Sequence, residues 1–301
     1  VEPFGHFLCF DRWGPVTSEE KAAGYDFHGE AARVPWDLLA PSTPGQLEIG
    51  TTLPRSGLTA QRRIRLAPAG GGFAIHTEVR NPTGESRPYN LVEHITLAAP
   101  WADASGQIIT NARQGILHRQ GKPVEDVRVE WPWAIENHAR RDLREVPGQR
   151  GRFIASLRFP DDAKWGYVCL QNPRSGALLA YVWSTESMPW LNLYWFSNGE
   201  RVVQRAIEPG TTGLHRPMAE LLKAAPVLDQ PVVHWLAPAA TRSLLLLGGL
   251  AVEPQDFGVL TDFRATPAGW VAVDESGRER LLVAAPRAEL PLPEREVSHQ
   301  N

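Results

Sequence analysis

Residues 73–97, FAIHTEVRNPTGESRPYNLVEHITL, decide the fold class. In the first seven residues Phe73, Ile75, Thr77 and Val79 alternate with Ala74, His76 and Glu78. A period of two is that of a strand, whose successive side chains point to opposite faces. NPTGESRP supplies turn residues, and the alternation resumes from Asn90 to Leu97, so the stretch reads as a hairpin-like strand pair with a longish loop. In the second strand Glu93 and His94 must face opposite ways. His94 shares its side with Asn90, Val92 and Thr96, a more polar set than Leu91, Ile95 and Leu97, and that side reads as a groove wall.

The pattern recurs outward at 46–53, 62–68, 127–133, 152–159, 166–173, 177–184, 192–197, 232–238, 243–252, 270–275 and 281–286. Pro and Gly, 26 of each, are spread along the chain, which suits many short strands joined by turns. Two short helices are expected, at 18–23 with Ser18 as N-cap and at 216–225. Gly70–Gly72 reads as a hairpin turn, and 289–301 as an edge strand running into a loose tail. No repeat, low-complexity tract or linker divides the chain. The expectation is all-β: one antiparallel β-sandwich domain over 1–301, with a ligand groove on one sheet face.

Composition narrows the partners. Thirty-one basic and 34 acidic residues give a net charge of -3, so no basic field recruits nucleic acid or an anionic membrane. The longest aliphatic block, Leu244 to Leu247, is far short of the ~18 apolar residues of a membrane span. Cys9 and Cys169 lie far apart with no metal-ligand spacing, so no metal site is expected, and one disulfide is left open. The chain begins at Val1, which leaves a preceding segment open, and a cytoplasmic location is the expectation. Eleven Trp exceed the usual share; their flat apolar faces fill cores and also stack on sugar rings.

Three stretches place an acid or imidazole in unusual company: YDFHGEAARVPW with His28, YNLVEHITL with His94, and RAIEPGTTGLHRP with Glu208. Read alone, Glu208 is a solvated charge at a strand end, with Ala206 and Ile207 finishing the strand and Pro209, Gly210 and Gly213 forming the loop. His138 reads as part of a solvated segment, and His76, His118, His215 and His234 have no partner identifiable in the sequence. No GxSxG occurs, and the glycines at 70–72 lack the Lys and Thr of a phosphate loop. Arg33, Arg55 and Arg62 are candidate contacts for anions or hydroxyls.

Taken in order, the three stretches resemble the galactose mutarotase-like (aldose 1-epimerase) superfamily over roughly residues 25–250. The resemblance implies a large β-sandwich and interconversion of sugar anomers. It makes His94 the general acid, Glu208 the general base and His28 a substrate-orienting donor; Arg33, Trp36, Arg55, Trp190 and Trp195 are the further candidate substrate contacts. It implies a small carbohydrate as partner and no cofactor. The chain departs from the best-known members, which carry Asn-His at Glu93-His94 and Glu-Thr-Gln at Glu208-Pro209-Gly210, so no particular sugar is implied. Two other readings compete: a carbohydrate-binding sandwich without turnover, and a glycoside-cleaving enzyme pairing Glu208 with Glu93 or Asp103.

Overall fold

A computed structural model describes residues 5–68, 71–97, 101, 108–118, 127–136, 139–144, 150–172, 174–200, 202–251 and 257–285. Its strands are β1 (His6–Asp11), β2 (Asp37–Leu38), β3 (Gln46–Thr52), β4 (Thr59–Leu66), β5 (Gly72–Arg80), β6 (Arg87–Leu97), β7 (Ile108–Thr110), β8 (Gln114–His118), β9 (Arg128–Glu130) and β10 (Trp133–Glu136). There follow β11 (Ala139–Asp142), β12 (Gly151–Arg158), β13 (Trp165–Gln171), β14 (Leu178–Ser184), β15 (Trp190–Ser197), β16 (Val202–Gly210), β17 (His234–Leu236), β18 (Thr241–Ala251), β19 (Leu260–Thr266), β20 (Gly269–Asp274) and β21 (Glu279–Ala284). The helices α1 (Ser18–Ala22) and α2 (Met218–Leu221) are short. The all-β expectation holds.

The strands form three antiparallel sheets. The first has ten strands in the order β1-β6-β16-β15-β12-β8-β9-β10-β11, with β17 also on β6; the second has eight, β2-β3-β4-β5-β18-β14-β13-β7; the third is β19-β20-β21. Leu91, Ile95, Ile207, Leu193 and Leu157 of the first sheet meet Ile75, Val79, Leu179, Trp183 and Leu246 of the second in the main core. The outward residues of the second sheet, among them Cys169, Leu178, Ala180 and Leu247, pack on Phe263, Trp270 and Leu282 of the third. The result is a sandwich with one further layer, in which β14 is buried on both faces, between the main core and the third sheet.

The opening stretch is not a hairpin. β5 pairs with β4 and β18, whereas β6 pairs with β1, β16 and β17, so residues 81–86 carry the chain from one sheet to the other. Asn81 shapes that crossing: its Nδ2 donates to the carbonyls of Glu85 (2.7 Å) and Leu236 (2.8 Å), and its Oδ1 accepts from the Thr83 backbone N–H (3.0 Å). A long loop with its own anchors connects sheets as readily as it closes a hairpin, and alternation alone does not tell the two apart.

Glu93 faces the main core, as its position in the alternation requires, and is 1 % exposed. It accepts hydrogen bonds from Arg62 Nη2 (2.6 Å), His6 Nε2 (2.8 Å) and Thr77 Oγ1 (3.2 Å). Burial opposes its ionisation, but the Arg62 guanidinium and His6 more than offset that and hold the carboxyl at about 2. Arg62 therefore acts inside the sandwich, not as a ligand contact. Two boundaries also differ from expectation. Thr17, not Ser18, caps α1, in a reciprocal box with Glu20, and α2 is shorter than its apolar pattern, beginning after Pro217. Cys9 and Cys169 are both buried free thiols, so the open disulfide does not form. Asp103, His138 and the 289–301 tail lie outside the described residues.

Candidate active site

The candidate site residues gather on the outer face of the ten-stranded sheet. In β16 the strand does not stop at Ile207 but runs through Glu208, Pro209 and Gly210. Ile207 lies opposite Ile95 and Gly210 opposite Val92, which brings Glu208 beside His94. Gly210 is required by close approach: a Cβ there would lie 2.5 Å from Val92 Cγ2 and 2.9 Å from the Leu91 carbonyl oxygen. The Pro-Gly pair thus continues the strand where a side chain would push β16 off β6. Glu208 is no solvated rim charge, being 3 % exposed.

Glu208 has two side-chain neighbours of consequence. Trp13, in the segment after β1, donates its indole N–H to Oε2 at 2.7 Å. His94 Nε2 lies 3.4 Å from Oε1. The far nitrogen of that imidazole, Nδ1, is 3.0 Å from Thr96 Oγ1, and the Phe7 ring stacks on it at 4.4 Å and 19°. Phe7 is the register partner of His94 on β1, so the stack follows directly from the pairing. Asn192, opposite Glu208 on β15, donates its amide to the Glu208 and Thr212 carbonyls at 3.1 Å each and fastens the strand to the loop behind it.

Burial sets the protonation of this pair. It raises the Glu208 carboxyl from 4.5 to about 8, against the lowering effect of the Trp13 bond. It lowers His94 from 6.5 to about 3, with the charge of His6 adding to the effect. Between those limits the pair holds one proton, on the carboxyl in the resting state, with both partners neutral.

His28 lies above the pair. Its ring centroid is 5.0 Å from that of His94, and its Nδ1 is buried without a hydrogen-bond partner. Its backbone is left-handed, φ 66°, an uncommon conformation for a non-glycine residue and one often kept at functional sites. Gly29 follows at φ 82°, and a Cβ there would lie 2.8–2.9 Å from Arg12 and Phe10 backbone atoms. The His-Gly turn is thus pinned against β1, with the imidazole beside that of His94. Burial, and then His94, His215 and Arg33, push His28 well below its usual pKa, so it too is neutral.

The structure gathers Glu208, His94 and His28 but spreads the other candidates. Arg33 is exposed at the mouth, its Nε donating to the Phe27 carbonyl (3.3 Å) and lying 3.6 Å from Asp26. The Arg55 guanidinium lies over Gly24, and its backbone N–H donates to Glu30 (2.7 Å). Trp36 packs on the main core and donates its N–H to the Ala31 carbonyl (2.9 Å). Trp190 is fully buried against Gly213, and Trp195 is buried between the sheets, edge-on to Phe153 at 4.5 Å. The sequence reading put Thr96 on the His94 face but missed Trp13 and Phe7 and gave His215 no partner. Thr96 and Phe7 follow from strand alternation and register once β1 and β6 are paired; Trp13 and His215, held ring to ring at 4.8 Å, come from loops that only the fold brings together. Glu93 lies on the far side of β6 from Glu208, which removes that carboxylate pair as a glycoside-cleaving site.

No protein-family model and no curated protein matches the chain. Solved structures do. A candidate aldose 1-epimerase from Klebsiella pneumoniae superposes with a TM-score of 0.58 at 17 % identity over 82 % of this chain, which spans 62 % of that protein's length. A galactose mutarotase related enzyme from Lactobacillus acidophilus gives 0.58 at 11 % identity over 83 % of this chain and 84 % of its own. A galactose mutarotase-like protein from Lactobacillus casei gives 0.54 at 15 % over 82 % and 85 %. At such identities what is shared is the arrangement of strands, and the chain has the galactose mutarotase-like β-sandwich fold.

Proposed function

We propose that the protein is an isomerase that interconverts the anomers of a free aldose or aldose derivative by acid/base ring opening. The observation that carries this reading is the Glu208–His94 pair, 3.4 Å apart on one sheet face, with Trp13 holding the carboxyl and His28 overhead. Ring opening needs one group to take the O1 proton while another protonates the ring oxygen. The C1–ring oxygen bond then breaks, C1 becomes a carbonyl, rotation about C1–C2 exposes its other face, and closure returns both protons. Glu208 is the base and His94 the acid: moving the shared proton from carboxyl to Nε2 generates the carboxylate and imidazolium that the step uses. Because that shift conserves the protonation of the pair, activity follows its two macroscopic pKa values, about 3 and about 8. Solved structures sharing the fold and named as mutarotase-related support the reading.

The test is NMR-monitored or polarimetric mutarotation over a panel of freshly dissolved aldoses, with Glu208→Gln and His94→Ala beside the parent. Each variant should lose on the order of 10²- to 10⁴-fold in rate. A parent no faster than buffer on every sugar would leave a sugar-binding sandwich without turnover; variants as fast as the parent would move the chemistry elsewhere.

A further inference from the structure

Beside His28 stands His215, in the loop that follows β16. Its ring lies 4.8 Å from Trp13, 5.6 Å from His28 and 5.7 Å from Phe27. It is half-buried, and neither ring nitrogen has a hydrogen-bond partner among the described residues. Burial, and then His118, His94 and Arg152, hold its pKa at about 3, so at neutral pH it presents one N–H and one acceptor nitrogen.

Arg152 stands at the start of β12. Alternation puts it on the same sheet face as Ile154, which packs on the Cys9–Trp13–Val92 cluster, and Ser156, whose hydroxyl meets His118 Nε2 at 2.9 Å. The Arg152 side chain is exposed and has no hydrogen bond or ion pair among the described residues. Arg158, further along the same face of β12, is committed to the Leu228 carbonyl and to Asp161 (2.6 Å). Arg33, on the His28 side, is taken up by Asp26 and the Phe27 carbonyl. Among the described residues, the carboxyl beside these imidazoles is Glu208, already held by Trp13. Among the described residues, this side of the site therefore carries an exposed guanidinium and an imidazole without hydrogen-bond partners, and the packing of β12 on the Trp13 cluster and on His118 puts both on one sheet face.

We propose that Arg152 and His215 form a subsite for a carboxylate carried by the sugar, so that the preferred substrate is an aldose acid of the uronate class. A planar carboxylate offers two oxygens to one guanidinium fork and one imidazole N–H, and an uncompensated cation at a groove mouth raises the local concentration of an anionic ligand. A phosphate ester, with three terminal oxygens and close to two charges, would leave acceptors unmatched by this donor set. The assignment rests on the anomer-interconverting reading of Glu208 and His94.

The test uses saturation-transfer NMR between anomeric protons for a uronate, the corresponding neutral hexose and its 6-phosphate, with parent, Arg152→Met and His215→Gln. The parent should favour the uronate over the neutral sugar in kcat/KM by roughly 10- to 100-fold, the range of a charge-assisted hydrogen bond, and both variants should collapse that ratio. Equal use of uronate and neutral sugar by the parent, a ratio unchanged in Arg152→Met, or a 6-phosphate preferred over the uronate would each overturn the carboxylate subsite. If the parent turns over no sugar, the proposed reaction fails, and the subsite is judged by calorimetric titration instead. Tighter binding of uronate than of neutral hexose, lost in Arg152→Met, supports it; equal affinities overturn it.

Discussion

Replacing Glu208 by Gln separates the electrostatics of the site from its chemistry. Gln keeps the shape of the protonated carboxyl and an oxygen to accept the Trp13 N–H, but it cannot ionise. In the parent the carboxyl titrates at about 8 when folded and near 4.5 when unfolded. Below 4.5 both states are protonated and the group adds no pH dependence. Between 4.5 and about 8 the unfolded chain is ionised while the folded one keeps its proton, so stability falls as pH rises, at about 1.4 kcal/mol per pH unit. Above about 8 the loss levels off at roughly 5 kcal/mol. Urea unfolding of parent and Glu208→Gln, followed by tryptophan fluorescence at several pH values between about 5 and 8, isolates this group, because the other titrations largely cancel in the difference. The parent should lose stability relative to the variant steadily across that range. A difference that stays constant with pH, or one that favours the parent as pH rises, would refute the raised carboxyl and the neutral resting pair built on it.

Other outcomes follow from the same geometry. Trp13→Phe removes the donor that favours the Glu208 carboxylate, so the alkaline limb of the mutarotation pH profile should move to higher pH; a downward move would contradict the bond. Gly210→Ala forces a Cβ within 2.5 Å of Val92 Cγ2 and should cost about 1–3 kcal/mol in urea unfolding, with loss of activity as β16 shifts from β6. Glu93→Ala leaves Arg62 buried without its carboxylate and should destabilise by about 3–5 kcal/mol, read by the same unfolding assay.

The alternation of residues 87–97 puts Glu93 and His94 on opposite faces, and the two faces are as different as the pattern implies. The strands in 46–53, 152–159 and 177–184 are equally legible, although β14 buries both faces of its run, one in the main core and one against the third sheet. What the pattern could not carry was pairing. Residues 73–97 satisfy a hairpin and a sheet-to-sheet crossing alike, and only the competing partners β1, β4, β16 and β18 decide between them. Glu208 reads as a strand end because Pro and Gly ordinarily terminate strands; here the crowding of β6 excludes a side chain at 210 and the strand continues. The tryptophans mislead in the other direction. Trp36 and Trp195 look like stacking platforms in sequence and serve as packing, whereas Trp13, in an unpromising segment, touches the carboxyl. Contacts between residues 195 positions apart leave no local trace.

The salt-bridged Glu93 also bears on how β6 finds its place. A strand with one apolar face and one reactive face has a dangerous near neighbour in which everything shifts by one residue, which would send His94 into the sandwich and Glu93 into the groove. Such a slip would strand Arg62 and His6 in the interior without an acceptor. The three-donor cluster thus acts as a proofreading device for chain alignment: a misthreaded strand is expelled by its own unpaired charges.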